Sequence, residues 1–184
     1  MTKEVAAQSG VIVTGAASGI GLASAEALAE AGRPVAVWDI NAERSVAVAA
    51  DLGERYGVVT VGVGVDLSAM ANIAPALQKT RAALPSIGGL VHAAGISLAV
   101  PVEDMTEAQW DAVLNVNLKA LPFMVQQMRS LLAAQPGSAV VAIASINATL
   151  GNQMNPAYTA SKGGMLSLVR SLADDLARDV FFFF

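Results

Sequence analysis

Five short apolar runs with little polar alternation, each followed by a stretch rich in Ala, Leu, Glu and Arg, constrain this chain more than any other feature. Residues 11–14, 34–39, 58–66, 89–93 and 138–145 carry β-branched or small apolar side chains in succession, the pattern of strands buried on both faces. The stretches 20–31, 42–56, 69–83, 107–134 and 157–178 place apolar residues three or four apart, which is the helical period. Strict alternation predicts right-handed βαβ crossovers, hence an α/β architecture: a doubly wound parallel sheet with helices on both faces. With 184 residues, 54% apolar and 14% charged, the chain is long enough for one buried domain, 1–180, and no repeat or linker divides it. Counting elements leaves the second half without a closing strand, because Asp179, Val180 and four Phe at 181–184 follow the last helix. The expectation is a sheet with its C-terminal strands missing, the fifth strand at an open edge, and an anomalous Phe tail on a shortened chain. Four Phe cannot span a bilayer, so a lipid anchor is disfavoured.

Charge and composition remove several function classes. Fifteen acidic against eleven basic residues give a net charge of -4, and the basic residues are scattered, so no nucleic-acid footprint is expected. The absence of Cys excludes disulfides, thiolate zinc sites and thiol catalysis, and suits a reducing compartment. The first residues, with Lys3 and Glu4 among polar groups, lack the apolar core of a secretory signal. No apolar stretch reaches membrane-spanning length. A soluble cytoplasmic protein without a metal site is the expectation.

Thr14-Gly15-Ala16-Ala17-Ser18-Gly19-Ile20-Gly21 lies between the first strand and the first helix, where backbone amides and a helix N-terminus can receive a pyrophosphate. The spacing also fits a plain tight turn. Asp39 follows Gly21 by 18 residues and closes the second strand, from where a carboxylate can accept hydrogen bonds from ribose hydroxyls and repel a 2′-phosphate. Ser18 and Ile40 supply no cation for such a phosphate, which favours NAD over NADP. The alternative reading of Asp39 is a cap of the helix starting near Asn41. Asp66 closes the third strand and either contacts adenine or caps the helix after Ser68.

Tyr158 and Lys162 stand four apart at the start of the last helix and project from one face. An ammonium about 4 Å from a phenol, at an effective dielectric of about 20, contributes roughly 4 kcal/mol. That is enough to carry a phenol from a pKa near 10 toward 7 before solvent screening. Such a pair can exchange a proton with an alcohol; the alternative is an exposed Tyr and a surface Lys. Ser145, at the end of the fifth strand, can hold a substrate oxygen beside the phenol. Asn117 falls on the apolar stripe Trp110, Leu114, Leu121 and Met128, so its amide is buried and needs partners; the alternative is an Asn bonded to neighbouring backbone. Pro122 lacks an N–H and clashes with the carbonyl of Leu118, so the helix should be disturbed there, leaving a backbone oxygen free.

In this order these motifs resemble the classical short-chain dehydrogenase/reductase family, an extended Rossmann fold, over residues 11–179. The likeness also rests on Ala93-Ala94-Gly95 after the fourth strand. It implies an oxidoreductase that moves a hydride between a secondary alcohol or ketone and NAD. Tyr158 would be the general acid/base, Lys162 would lower its pKa and hold the nicotinamide ribose, Ser145 would orient substrate, and Asn117 would anchor a water relay. Cofactor contacts would fall on Gly15, Ser18, Gly19, Ile20, Gly21, Asp39, Ile40, Asp66, Leu67, Ala93, Ala94 and Gly95, joined by Tyr158 and Lys162. The likeness further implies homodimers or homotetramers through helices 107–134 and 157–178. Leu98, Val100, Pro101, Thr149, Leu150 and Met154 would border the substrate pocket.

Two departures stand out. The family's Asn-Asn-Ala-Gly is His92-Ala93-Ala94-Gly95 here, and a structural role is expected for this single histidine. The family's later elements do not follow helix 157–178, which should uncover one sheet face near the fourth and fifth strands. The alternative reading is therefore a fragment that binds NAD or partner subunits without turnover.

Overall fold

The apolar runs fold as parallel strands and the periodic stretches as helices. The computed structural model describes residues 8–177 and the backbone of 181–183. Expectations about Lys3, Glu4, Arg178, Asp179, Val180 and Phe184 lie outside the described residues. In chain order the elements are β1 (Gly10–Thr14), α1 (Gly19–Glu30), β2 (Val35–Asp39), α2 (Ala42–Tyr56), β3 (Thr60–Gly64), α3 (Ile73–Ala83) and β4 (Ile87–His92). There follow α4 (Glu107–Leu114), a π-helical turn (Asn115–Lys119), α5 (Ala120–Ala133), β5 (Ala139–Ala142), α6 (Pro156–Leu176) and β6 (Phe181–Phe183).

All neighbouring strands pair in parallel, in the spatial order β3-β2-β1-β4-β5-β6. Strand β1 thus lies between β2 and β4, and the order reverses there. In a doubly wound sheet the crevice opens at that reversal, outside the carboxyl ends of the strands.

Burial explains why the strands carry no polar alternation. Every residue of β1 and β4 is buried. Ile12, Trp38, Leu90 and Val140 face one layer, built with Leu121, Met124 and Met128 of α5, Leu77 of α3 and Met165 of α6. Val11, Val13, Val35 and Val37 face the other, against Ala25 and Ala29 of α1 and Leu52 of α2. Trp38 is fully buried, and its indole N–H donates to Thr80 Oγ1 at 2.8 Å, which satisfies the one polar atom that the ring carries inward. None of the helices among the described residues is long and apolar enough to cross a membrane.

The Phe run departs from the expectation of an open fifth strand. Phe181–Phe183 pairs in parallel with Ala139, Val140 and Val141, so β5 is an inner strand and β6 the edge. Phe has high β propensity, and the free N–H and C=O groups along β5 offer it partners. The sheet face beside β5 is nevertheless thinly covered: Val140 and Ala142 are buried under α5 and α6, while Val141 and Ile143 on the α1 side are only half-buried.

Candidate active site

The first βα turn is shaped by contacts that only glycine allows. Gly15 has φ +64°, and a Cβ there would stand 2.8 Å from Ala94 Cα. A Cβ on Gly21 would stand 2.2 Å from the Gly15 carbonyl oxygen, so α1 is pressed directly onto the turn. Gly19, at φ +53°, instead faces open space. Asn41 and Thr106 cap the first turns of α2 and α4 through their side chains, whereas Ser18 makes no such bond at α1. The first amides of α1 therefore remain available toward Gly19, the arrangement that accepts a phosphate.

A cleft of about 390 Å³ runs from this turn across β1 and β4. All twelve residues from Gly15 to Gly95 named above as nucleotide contacts line it, with Trp38, Val65, Ile96 and Val116 in addition. Asp39 is not the cap of α2; that role falls to Asn41, whose Oδ1 accepts from Arg44 N at 2.9 Å. Its own carboxylate accepts from Ala17 N and Asn41 N, each at 3.0 Å, which fixes it at the rim of the cleft. Asp66 Oδ1 accepts from Ser68 N at 2.8 Å and also lines the cleft, so it both closes a turn and faces the ligand space. One cation escaped the sequence reading: Arg44 Nε donates to the Ala17 carbonyl at 2.6 Å, on the opposite side of the residue that Asp39 holds. Only the fold of α2 back onto the glycine turn brings it there.

The sheet comes apart at the floor of the cleft. Ile143 N still donates to the His92 carbonyl at 3.1 Å, and a continuing ladder would next pair the Ile143 carbonyl with the Ala94 amide. Instead Ala94 N donates to Thr14 Oγ1 at 3.1 Å, and Lys162 Nζ donates to the Ile143 carbonyl at 2.6 Å. For this reason β5 ends before Ser145, which was expected at its tip. Ser145 lies three residues beyond, starts a 3₁₀ turn (Ile146–Ala148), and accepts from Asn147 N at 3.2 Å.

Tyr158 and Lys162 share the first turns of α6, with Nζ 5.7 Å from the centre of the phenol ring. The Ile143 carbonyl, 2.6 Å from Nζ, holds the ammonium on this side of the ring. Lys162 is 5% exposed, and burial holds its pKa below the usual lysine range. Asn117 is fully buried inside the π-helical turn. Its Oδ1 accepts from Ile96 N at 2.8 Å, and its Nδ2 donates to the Ile96 carbonyl at 3.0 Å and to Ser161 Oγ at 3.1 Å. The amide is thus a tie between the loop after β4 and α6. The disturbance expected beside Pro122 is this turn, in which Ala120 N bonds Asn115 O five residues back. A Cβ on Gly95 would lie 3.5 Å from Asn117 Oδ1 and 3.9 Å from Lys162 Nζ, so the nucleotide cleft and the polar cluster meet at that glycine.

His92 is 1% exposed, with Nδ1 3.1 Å from Thr14 Oγ1. Burial first, and then the charge of Lys162, lowers its pKa from the ordinary 6.5 to about 4. The unfolded chain therefore holds more protons between those two values, and stability present above pH 6.5 is lost as pH falls toward 4. A loss of about 3 kcal/mol across that window is expected from denaturant midpoints, and His92→Gln, which does not titrate, should abolish it. No group of three or more His, Asp or Glu among the described residues is placed to hold a metal ion.

Comparison with known proteins bears on this geometry. A family profile described as short chain dehydrogenase matches residues 9–180. The D-threitol dehydrogenase of Mycolicibacterium smegmatis is 36% identical over 162 residues, covering 88% of this chain and 62% of that protein. The NAD-dependent glycerol dehydrogenase of Listeria innocua is 34% identical over 166 residues, covering 90% of this chain and 64% of that protein. The crystal structure of a metagenomic short-chain oxidoreductase in complex with NADP superposes with a TM-score of 0.89 at 29% identity, covering 97% of this chain and 81% of that one. The chain spans just under two thirds of the length of the two dehydrogenases.

Proposed function

Because the chain belongs to the short-chain dehydrogenase family, whose members are oxidoreductases acting on CH–OH groups, we propose that it interconverts a small secondary alcohol and its ketone with NAD. The observation that carries this reading is the junction at Gly95, where the cleft of the glycine turn opens onto Asn117 and Lys162. The amides at the start of α1 and the glycine turn would hold the pyrophosphate, Asp39 the adenosine ribose, and Lys162 the nicotinamide ribose. Bound there, the nicotinamide supplies the hydride acceptor in oxidation and the donor in reduction.

The residues of the chain handle the proton. In oxidation the Tyr158 oxygen takes the hydroxyl proton of the alcohol as its carbon loses hydride; in reduction it returns a proton to the carbonyl oxygen. The Lys162 ammonium, held in place by the Ile143 carbonyl, stabilises negative charge on the phenol oxygen during the transfer. Ser145 Oγ accepts from Asn147 N, which leaves its own hydrogen to donate to the substrate oxygen. Leu98, Leu150 and Met154 are exposed beyond this cluster, where an incoming substrate would meet them. Exposed Trp110 and Phe123 on α4 and α5 support assembly into homodimers or homotetramers through these helices and α6.

The preference for NAD rests on the Asp39 carboxylate, which lines the cleft and is held there by Ala17 N and Asn41 N. Reduced-nicotinamide absorbance, followed with both cofactors over a panel of diols, polyols and simple secondary alcohols, tests the reading. The unaltered chain is expected to use NAD, and Asp39→Ser to lower the NAD-to-NADP ratio of kcat/KM roughly ten- to hundredfold, the effect of one charge-assisted hydrogen bond and one removed repulsion. Preference of the unaltered chain for NADP would overturn the assignment of Asp39.

A further inference from the structure

Asparagine is among the strongest helix caps, yet Asn155 does not cap α6. It occupies the N-cap position, and its side chain makes no bond to the amides of the first turn. Its main chain is held from both sides: the carbonyl accepts from Thr159 N at 2.9 Å, and the N–H donates to the Asn152 carbonyl at 3.0 Å. The amide group is turned elsewhere, toward Ser97, 58 residues earlier in the chain.

The partners there fix which end of the amide faces them. Two are carbonyl oxygens, of Leu98 at 2.7 Å and of Met154 at 3.3 Å, and the third is the Ser97 hydroxyl at 3.0 Å. A carbonyl accepts only, so the amide nitrogen, with its two hydrogens, points this way. The Leu98 carbonyl also accepts from Val100 N at 3.0 Å, which engages both of its lone pairs. Residues 95–100 form neither helix nor strand. Among the described residues, the hydrogen bonds that tie 95–100 to the rest of the fold end on two side-chain amides, Asn117 at Ile96 and Asn155 at Ser97 and Leu98.

We propose that Asn155 is a positioning residue for substrate: it gives up the cap of α6 to donate to the Leu98 carbonyl, and so fixes the Leu98 wall of the pocket mouth against the helical turn that carries Tyr158. Asn155 stands three residues before Tyr158, so the wall and the phenol share one anchor. The kinetic consequence rests on the dehydrogenase reading, whereas the tie itself can be measured without turnover.

Asn155→Asp and Asn155→Gln separate the two uses of the side chain. Aspartate is an equally good cap and suits a helix N-terminus, but it has no hydrogen for Leu98; glutamine keeps the donor. In NMR of the full unaltered chain, the Asn155 NH₂ is expected to exchange more slowly than that of exposed Asn152, and an equal rate overturns the tie. In the Asp variant the Ile96 and Val100 amides should exchange roughly tenfold faster, with Tm no lower than in the unaltered protein. Unchanged exchange at these amides, or faster exchange throughout the fold with a lower Tm, overturns the proposal. With the panel alcohol that the unaltered chain oxidises fastest, KM should rise roughly tenfold in Asp while kcat stays within about threefold and NAD affinity within about twofold; Gln should recover KM to within about threefold. An unchanged KM in Asp, or equal losses in both variants, overturns the positioning role. If the unaltered chain lacks turnover, the dehydrogenase reading fails, and NH₂ protection and loop exchange still decide the tie. If the Asp variant does not fold, NH₂ protection in the unaltered protein decides it.

Discussion

Tyr158→Phe is expected to lower kcat by about a thousandfold while leaving NAD affinity within about twofold. The ring and its place on α6 are retained, so the half-buried aromatic surface and its contact with Lys162 persist; only the oxygen that carries the proton is lost. General acid/base groups contribute about 10² to 10⁴ in rate, and the Tyr158 ring lies 5.7 Å from the buried Lys162 ammonium. Ser145 cannot substitute, because its oxygen is already engaged by Asn147 N and a serine hydroxyl does not titrate near neutrality. Steady-state rates together with calorimetric NAD titration separate the two effects. Equal rates in both proteins would remove Tyr158 from the proton step.

Gly21→Ala is expected to abolish measurable NAD binding and to destabilise the fold. The added Cβ would lie 2.2 Å from the Gly15 carbonyl oxygen and 2.7 Å from its carbon, and backbone on both sides leaves no flexible group to yield. Helix α1 must retreat from the turn, which misplaces its amides and opens the packing around buried Ala25 and Ala29. Overpacking of this kind costs about 1–3 kcal/mol, seen as a fall of several degrees in Tm. Gly19→Ala provides the contrast: nothing lies within 4 Å of its Cβ, so steric overlap is absent and only the φ of +53° is strained, at about 1 kcal/mol. Its methyl would nonetheless enter the space where a phosphate would sit, so affinity should fall more than stability. Retained NAD affinity in Gly21→Ala would argue against the turn as the cofactor seat.

Much of this was legible in the sequence because parallel strands buried on both faces cannot hide their composition. Residues on β1, β2 and β4 read directly, and the positions just beyond each strand end follow once the strand order is assumed, which is why the cleft lining from Gly15 to Gly95 could be named. What escaped depends on non-local geometry. Arg44 becomes relevant only because α2 folds back on Ala17, and Val116 reaches the cleft only because a π-helical turn rotates the chain before Pro122. Ser145 was placed on a strand whose last bonds are taken over by Lys162 and Thr14, side chains distant in sequence. The Phe run carries strong β propensity, yet nothing local specifies β5 as its partner or Ala139 opposite Phe181 as its register.

The parting of β4 from β5 has a bearing on how such a protein can diversify. Past His92 the two chains are secured by a threonine hydroxyl and a lysine head group and no longer by each other, so the segment 95–101 hangs from side-chain anchors at Asn117 and Asn155. Because the strand pairings end at His92 and Ala142, the length of that segment is not tied to their register, and the loop can vary while the scaffold stays constant.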